Sequence, residues 1–191
     1  FEIYRWGPRA CRATGTELPS QQRAAEDEYI GMLESLENQL ASTRYSLGDR
    51  PSAVDAILLG GLRAHTLADP IPDLSRFKKI LAWEKSCDEG WDGNGDWAPF
   101  PESTPFVNHI LTIAETEYKP FVLGNARALL NKKKIFDITT YGQRTTYLTR
   151  EYPERSREML KRFSYDVLNN SEVAVVDAWL AKTNLTELFT N

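Results

Sequence analysis

Ser52 and Asp55 stand three residues apart, a hydroxyl and a carboxylate spaced so that each can reach the other's backbone amide. A serine beside a carboxylate is one ingredient of nucleophilic catalysis, but the hydroxyl also needs a positioned base and a strained turn to present it. No such elbow motif surrounds Ser52. The local pattern is instead that of a capping box. Pro51 precedes Ser52, whose hydroxyl is expected to accept from the Asp55 amide while the Asp55 carboxylate accepts from the Ser52 amide. Asp55 also places negative charge in a first helical turn, where the helix dipole favours it.

The other residues capable of chemistry make weaker patterns. His65 and His109 are the two histidines, without a His-x-x-x-His or Cys partner, and the spacing suits hydrogen-bonded structural imidazoles better than a catalytic base. Asp92-Gly93-Asn94-Gly95-Asp96 matches the first ligand positions of a calcium loop. Trp97 then stands where that loop needs glycine, and Ser103 where it needs glutamate. Half a ligand set holds an ion poorly, so this run is read as a solvated Gly/Asp turn and no metal is assigned. Cys11 and Cys87 are too few for a disulfide framework, which makes a reducing, cytoplasmic setting the default. No catalytic residue is assigned.

Bulk properties narrow the class. The 191 residues are 41% hydrophobic, 26% charged and 11% aromatic, an ordinary globular composition too rich in aromatics for a disordered chain. A formal charge of −4 argues against a nucleic-acid footprint, which needs a basic face. The basic run Lys132-Lys133-Lys134 follows a helix end, where the dipole favours cations. No apolar stretch approaches membrane-spanning length. The chain starts at Phe1, within an amphipathic segment and without a methionine, so a fragment of a longer protein is expected.

The elements that must position these residues are mostly helices. Residues 1–6 read as a helix tail or docked arm ending at Gly7-Pro8, followed by a loop to Pro19. A long helix starts near Ser20, with Tyr29, Met32, Leu33, Leu36 and Leu40 on its apolar face and Glu26, Asp27, Glu28, Glu34 and Glu37 on the polar one. The capped helix runs from about Ala53 to Leu67. It is apolar all round, which predicts a buried core helix, and its Gly60-Gly61 pair is tolerable if another helix backbone packs closely there. After the breaker Asp69-Pro70-Ile71-Pro72, Leu74, Phe77, Ile80, Leu81 and Trp83 mark the next helix. Thr104 caps another, with Pro105 at its first position and Pro120 expected to kink or split it before it ends near Asn131. Residues 135–149, rich in β-branched and aromatic side chains around Gly142-Gln143, predict a β-hairpin. Helices over about 153–168, with Met159, Leu160, Phe163 and Val167 on the apolar face, and over 171–181 complete the chain.

Gly48 four residues before the cap, Asp55 three after it, and the apolar helix behind resemble the C-terminal helical domain of glutathione transferases. Pro51 and Ala56 depart from that family's staple, where larger aliphatic residues are usual. The Ala114-Glu-x-x-Tyr118-x-Pro120-Phe and Asn125-Ala-x-Ala-Leu129 patterns, the hairpin and the helix after Tyr152 are similar to a bacterial-type subgroup with a long C-terminal extension, and Tyr4-Arg5-Trp6 resembles its interdomain segment. The resemblance implies an all-α bundle with a small β-hairpin near 135–149. It also implies an interdomain arm over 1–19 and a helical domain over 20–191 (core 20–87, extension 104–191). Gly48, Ser52 and Asp55 would be structural. The family's thioredoxin-like domain, with its catalytic Ser, Cys or Tyr and its cis-proline loop, has no counterpart here.

The resemblance further implies a division of labour. This chain would supply the wall of a hydrophobic substrate pocket and dimer contacts, while the thioredoxin-like domain of the same protein holds glutathione as co-substrate for transfer to, or reduction of, electrophilic small molecules. The chain itself would carry no cofactor, and its partners would be that domain and a second copy in a homodimer, with no nucleic acid and no membrane. Tyr4, Arg5, Trp6, Tyr29, Arg63 and Tyr118 combine apolar bodies with polar tips and are the candidate pocket lining, although an aromatic at helical spacing is more often core. The competing expectation is a non-catalytic interaction module of the same helical type.

Overall fold

Caps, prolines and left-handed turns cut this chain into a mostly helical protein with one small antiparallel sheet. A computed structural model describes residues 3–67 and 73–190, excepting the side chains of 3–6. The breaker at 69–72 lies outside the described residues. The helices are α1 (Ile3–Thr14), α2 (Pro19–Gln39), α3 (Ala53–Gly61), α4 (Lys78–Ser86), α5 (Pro105–Ile113), α6 (Lys119–Leu130), α7 (Glu151–Tyr165) and α8 (Asn170–Lys182), and the strands are β1 (Ile135–Thr140) and β2 (Gln143–Leu148). The chain divides into two compact units, residues 28–110 and residues 1–27 with 111–191. This differs from the expected arm, core and extension: residues 1–19 group with the extension.

The unit of residues 28–110 is built on the apolar face of α2. Leu33 and Leu36 are fully buried there with Leu62, Leu74, Phe77, Ile80, Trp83 and Phe106. The acidic face of α2 is not simply solvated. Glu37 accepts from the amides of Lys79 (2.9 Å) and Ile80 (2.9 Å), satisfying two orphan donors at the start of α4. Thr104 caps α5 as expected, accepting from Val107.

Two expectations about α3 are corrected. It is not a wholly buried helix: Asp55 is its buried residue, and Ile57 is 75% exposed. Gly60 and Gly61 meet no close-packed neighbour, since a methyl group added at either would find nothing within 4 Å. An all-round apolar sequence indicates burial only when neighbours cover every side, and here one side of α3 stays open. The helix then widens into a π-turn over Leu62–Thr66.

In the other unit, α1 does not stop at Gly7-Pro8 but runs through Pro8 to Thr14, forgoing one backbone bond. It ends in a Schellman motif, with Gly15 at φ +71° and the Thr16 amide donating to the Cys11 carbonyl at 2.8 Å. Lys132 and Asn184 play the same left-handed role after α6 and α8. Pro120 does interrupt its helix as expected. The five residues before α6, Ala114–Tyr118, form a π-turn, which accommodates the amide that proline lacks.

The hairpin pairs Ile135 with Leu148 through Thr140 with Gln143, as its composition predicts. It lies on α6 at Gly124, where any Cβ would stand 2.9 Å from the Phe136 ring. Phe121, Phe136 and Tyr147 form an aromatic cluster over this contact, with centroids 5.0–5.8 Å apart. Fully buried Asn125 accepts from the Arg150 amide and donates to the Arg150 carbonyl, both at 2.8 Å, pinning the start of α7. Arg157, buried on α7, is held by Glu154 and Glu158 and donates to the Leu188 carbonyl at 3.0 Å, tying down the C-terminal turn. Asn169 caps α8, in a capping box with Glu172.

Helix α7 also departs from expectation on its apolar side. Met159, Leu160, Phe163 and Val167 are exposed, Phe163 by 64%, and Tyr152 joins them.

Tyr165 links α7 to α8 through a 2.6 Å bond from its hydroxyl to Asp177. Burial first, and then this carboxylate, push its pKa from 10 up to about 12. A raised folded pKa means the folded state prefers the protonated phenol. Its contribution is therefore fully present below about pH 10 and is lost as the pH rises through about 12. The melting-temperature difference between wild type and Tyr165→Phe is expected to shrink across that interval, and a difference independent of pH there would contradict it.

Candidate functional site

Hydrogen bonds from the turn before α3 converge on Asp55. The residue is only 5% exposed, and its carboxylate accepts three hydrogen bonds: from the Ser46 amide (2.8 Å), the Ser52 amide (2.8 Å) and the Ser52 hydroxyl (2.7 Å). The reach-back half of the capping box is therefore formed as expected. The serine hydroxyl has a different main task, since the box geometry is closed but its clear bond is donated to the carboxylate. The bond from Ser46, itself fully buried, was not legible in the box and joins the cap to the preceding turn.

Gly48 is required for two reasons. Its φ is +133°, and a Cβ would stand 2.6 Å from the Ala98 amide nitrogen and 2.7 Å from the Asp96 carbonyl oxygen. Gly95 is matched to it from the other side, at φ +102° with the Asp49 carbonyl 2.6 Å from where its Cβ would be. Backbone bonds from Asp49 to Asp96 (2.8 Å) and from Ala98 to Leu47 (2.7 Å) join the two segments. The Asp92–Asp96 run thus serves as a backbone partner of the turn. Asp92 receives the Asn94 amide and the Arg44 guanidinium, which together hold its pKa below the ordinary carboxylate value. Among the described residues, no group of three or more His, Cys, Asp or Glu side chains is placed to hold a metal ion. Arg50 lies over the rings of Trp97 (4.3 Å) and Trp91 (5.3 Å), covering this loop with cation–π contacts.

The candidate pocket residues are distributed over both units. The side chains of Tyr4, Arg5 and Trp6 lie outside the described residues. Tyr29 and Arg63 belong to the 28–110 unit and have partners there. The Tyr29 hydroxyl bonds to Thr66 in the π-turn, and Arg63 is drawn to the end of α4 by Glu84 (2.6 Å) and Asp88 (2.7 Å). The hydrogen bond to Asp88, then that to Glu84, raise the Arg63 pKa above its already high value. Tyr118 belongs to the other unit, where burial raises its phenol pKa although the residue remains 43% exposed. No local pattern signals that Arg63 is neutralised, because its acidic partners lie twenty-one and twenty-five positions away.

The histidines do not assemble a catalytic group. His109 packs against Gly31, where a Cβ would stand 3.1 Å from its ring, and no hydrogen-bond partner meets its buried Nε2. Cys87 is half-buried, and burial foremost pushes its thiol pKa up, away from the thiolate a nucleophile needs. No helix among the described residues is long and apolar enough to cross a membrane. The chain matches no protein-family model and no solved structure.

Asp55 is expected to matter more than an ordinary cap. Asp55→Ala leaves the shielded amides of Ser46 and Ser52 without partners and is expected to cost about 3 kcal/mol. Ser52→Ala, which removes one hydroxyl from a cap, is expected to cost about 1 kcal/mol. Urea unfolding of both variants measures this, and equal losses would reduce Asp55 to a simple helix-capping role.

Proposed function

We propose that this chain is a glutathione-transferase-type C-terminal helical domain. On this reading it supplies an apolar pocket wall and subunit contacts to a protein that transfers glutathione to, or uses it to reduce, electrophilic small molecules. The observation that supports this reading best is the Gly48–Ser52–Asp55 arrangement. A left-handed glycine, a serine cap and a shielded carboxylate are bonded into one unit at the head of an apolar helix. The chain brings no nucleophile of its own to this scheme. Glutathione and the group that activates it belong to a thioredoxin-like domain of the same cytoplasmic protein, and the candidate pocket residue Tyr118 contributes area and a polar tip to substrate binding.

The test uses the longest native form of the protein, assayed with glutathione and an activated aryl halide. Glutathione-dependent conjugation is expected, with Tyr118→Ala raising KM while leaving kcat close to wild type, as for a group that binds substrate and transition state equally. Absence of activity with every glutathione-dependent substrate class would refute the enzymatic reading. Tight glutathione binding by residues 1–191 alone would refute the division of labour.

The exposed stripe on α7 favours a second reading, an interaction module. Tyr152, Met159, Leu160 and Phe163 recur at helical spacing on one exposed side, with exposed Val167 in the turn that follows, beside a groove of about 910 Å³ that includes Tyr165 and Phe189. Under this reading Phe163→Asp abolishes association with a partner or second copy. A native form that lacks glutathione chemistry and sediments as a monomer both with and without the substitution would exclude it.

A further inference from the structure

The cleft lined by α1 and the hairpin, within the unit of residues 1–27 and 111–191, combines cationic heads with an apolar bed. It has a volume of about 570 Å³, within the range of small-molecule pockets. Arg9 and Arg12 stand three residues apart on α1 and so share a face. Arg150 enters from the residue that precedes α7. Phe121 and Tyr147 line the same cleft, together with Ile135 and Leu148, which are cross-strand partners and are 53% and 57% exposed.

The elements that carry these groups are fixed independently of any ligand. Asn125 uses both halves of its buried amide on the backbone of Arg150, so the root of that side chain is pinned by two hydrogen bonds while the residue is left exposed. Gly15 lets the end of α1 close on the hairpin. The Tyr147 hydroxyl occupies the space a Cβ would take there and donates to the Thr14 carbonyl. Arg9 and Arg150 have no ion-pair partner among the described residues. Arg12 engages Glu17 through its Nε at 3.1 Å, leaving its terminal nitrogens for another acceptor. Three guanidinium groups against one carboxylate make this cleft cationic in a chain of net charge −4.

We propose that this cleft binds an organic carboxylate with an apolar body, the carboxylate meeting Arg9, Arg12 and Arg150 and the body lying on Ile135, Leu148 and the aromatic pair. Guanidinium groups give charge-assisted, often bidentate bonds to carboxylate. Exposed aliphatic groups at the same site add nothing for a bare inorganic anion and do stabilise a hydrocarbon or ring. The inference does not depend on the glutathione reading.

Calorimetric titration of the full chain with naphthylacetate, neutral naphthylacetamide and inorganic phosphate tests it. Naphthylacetate is expected to bind at least about tenfold more tightly than either other probe, since each lacks one of the two recognised features. The Arg9→Gln/Arg150→Gln variant is expected to lose about tenfold in naphthylacetate affinity, and Arg155→Gln, on α7 and outside the cleft, to lose none. Arg9→Gln alone, which alters no backbone contact, supplies the same comparison if the double variant unfolds. Equal affinity for acid and amide, equal affinity for phosphate, an unaffected Arg9→Gln variant, or an equal loss in Arg155→Gln would each overturn the proposal.

Discussion

A shielded negative charge organises the turn on which the 28–110 unit is built. Moving a carboxylate out of water is unfavourable unless hydrogen bonds replace its hydration, and Asp55 obtains three such bonds from two serines. Those bonds fix the first turn of α3 and, through Ser46, the segment that reverses direction before it. The reversal then depends on Gly48, whose backbone angle and close approach to residues 96–98 exclude any side chain. The result is a rigid joint made from one acid, two hydroxyl residues and two glycines. Its chemistry is structural: a carboxylate that already accepts three donors has little capacity left for a substrate.

The second unit uses the same physical device at other places. Asn125, Arg157 and Asn169 are polar side chains that bond backbone groups, and each fixes an element boundary: the start of α7, the C-terminal turn and the start of α8. Such bonds are directional where apolar packing is not, so they set register while Phe121, Phe136, Val122 and Leu180 supply burial. Arg150, at the α1–hairpin cleft, and α7, with its apolar stripe, are both attached to backbone held in this way.

Both readings proposed for this chain draw on surfaces rather than on a catalytic constellation. The polar groups that cluster on and around α3, Ser52 with Asp55 and Arg63 with Glu84 and Asp88, satisfy each other. Large exposed apolar groups gather along α7 and in the loop of residues 91–100, with Ile57 on α3, the kind of surface that a domain working against other protein or small molecules would need. The glutathione-transferase-type reading and the interaction-module reading share this requirement and differ in what completes the surface.

Local signals were legible wherever the physics is local. The capping box at Ser52, the cap at Thr104, the hairpin around Gly142 and the break before Pro120 all depend on residues within a few positions of one another, and each element forms. Sequence alone likewise determined a mostly helical protein, because periodicity and capping act within single turns. Only the tertiary structure decided which faces are covered. It left α3 open beside Gly60-Gly61, exposed the apolar side of α7, turned Glu37 into the cap of a helix forty residues away, and paired the Asp92–Asp96 run with the turn at Gly48. Burial and long-range hydrogen bonding depend on which segments meet in space, and that is a property of the packed chain rather than of any window within it.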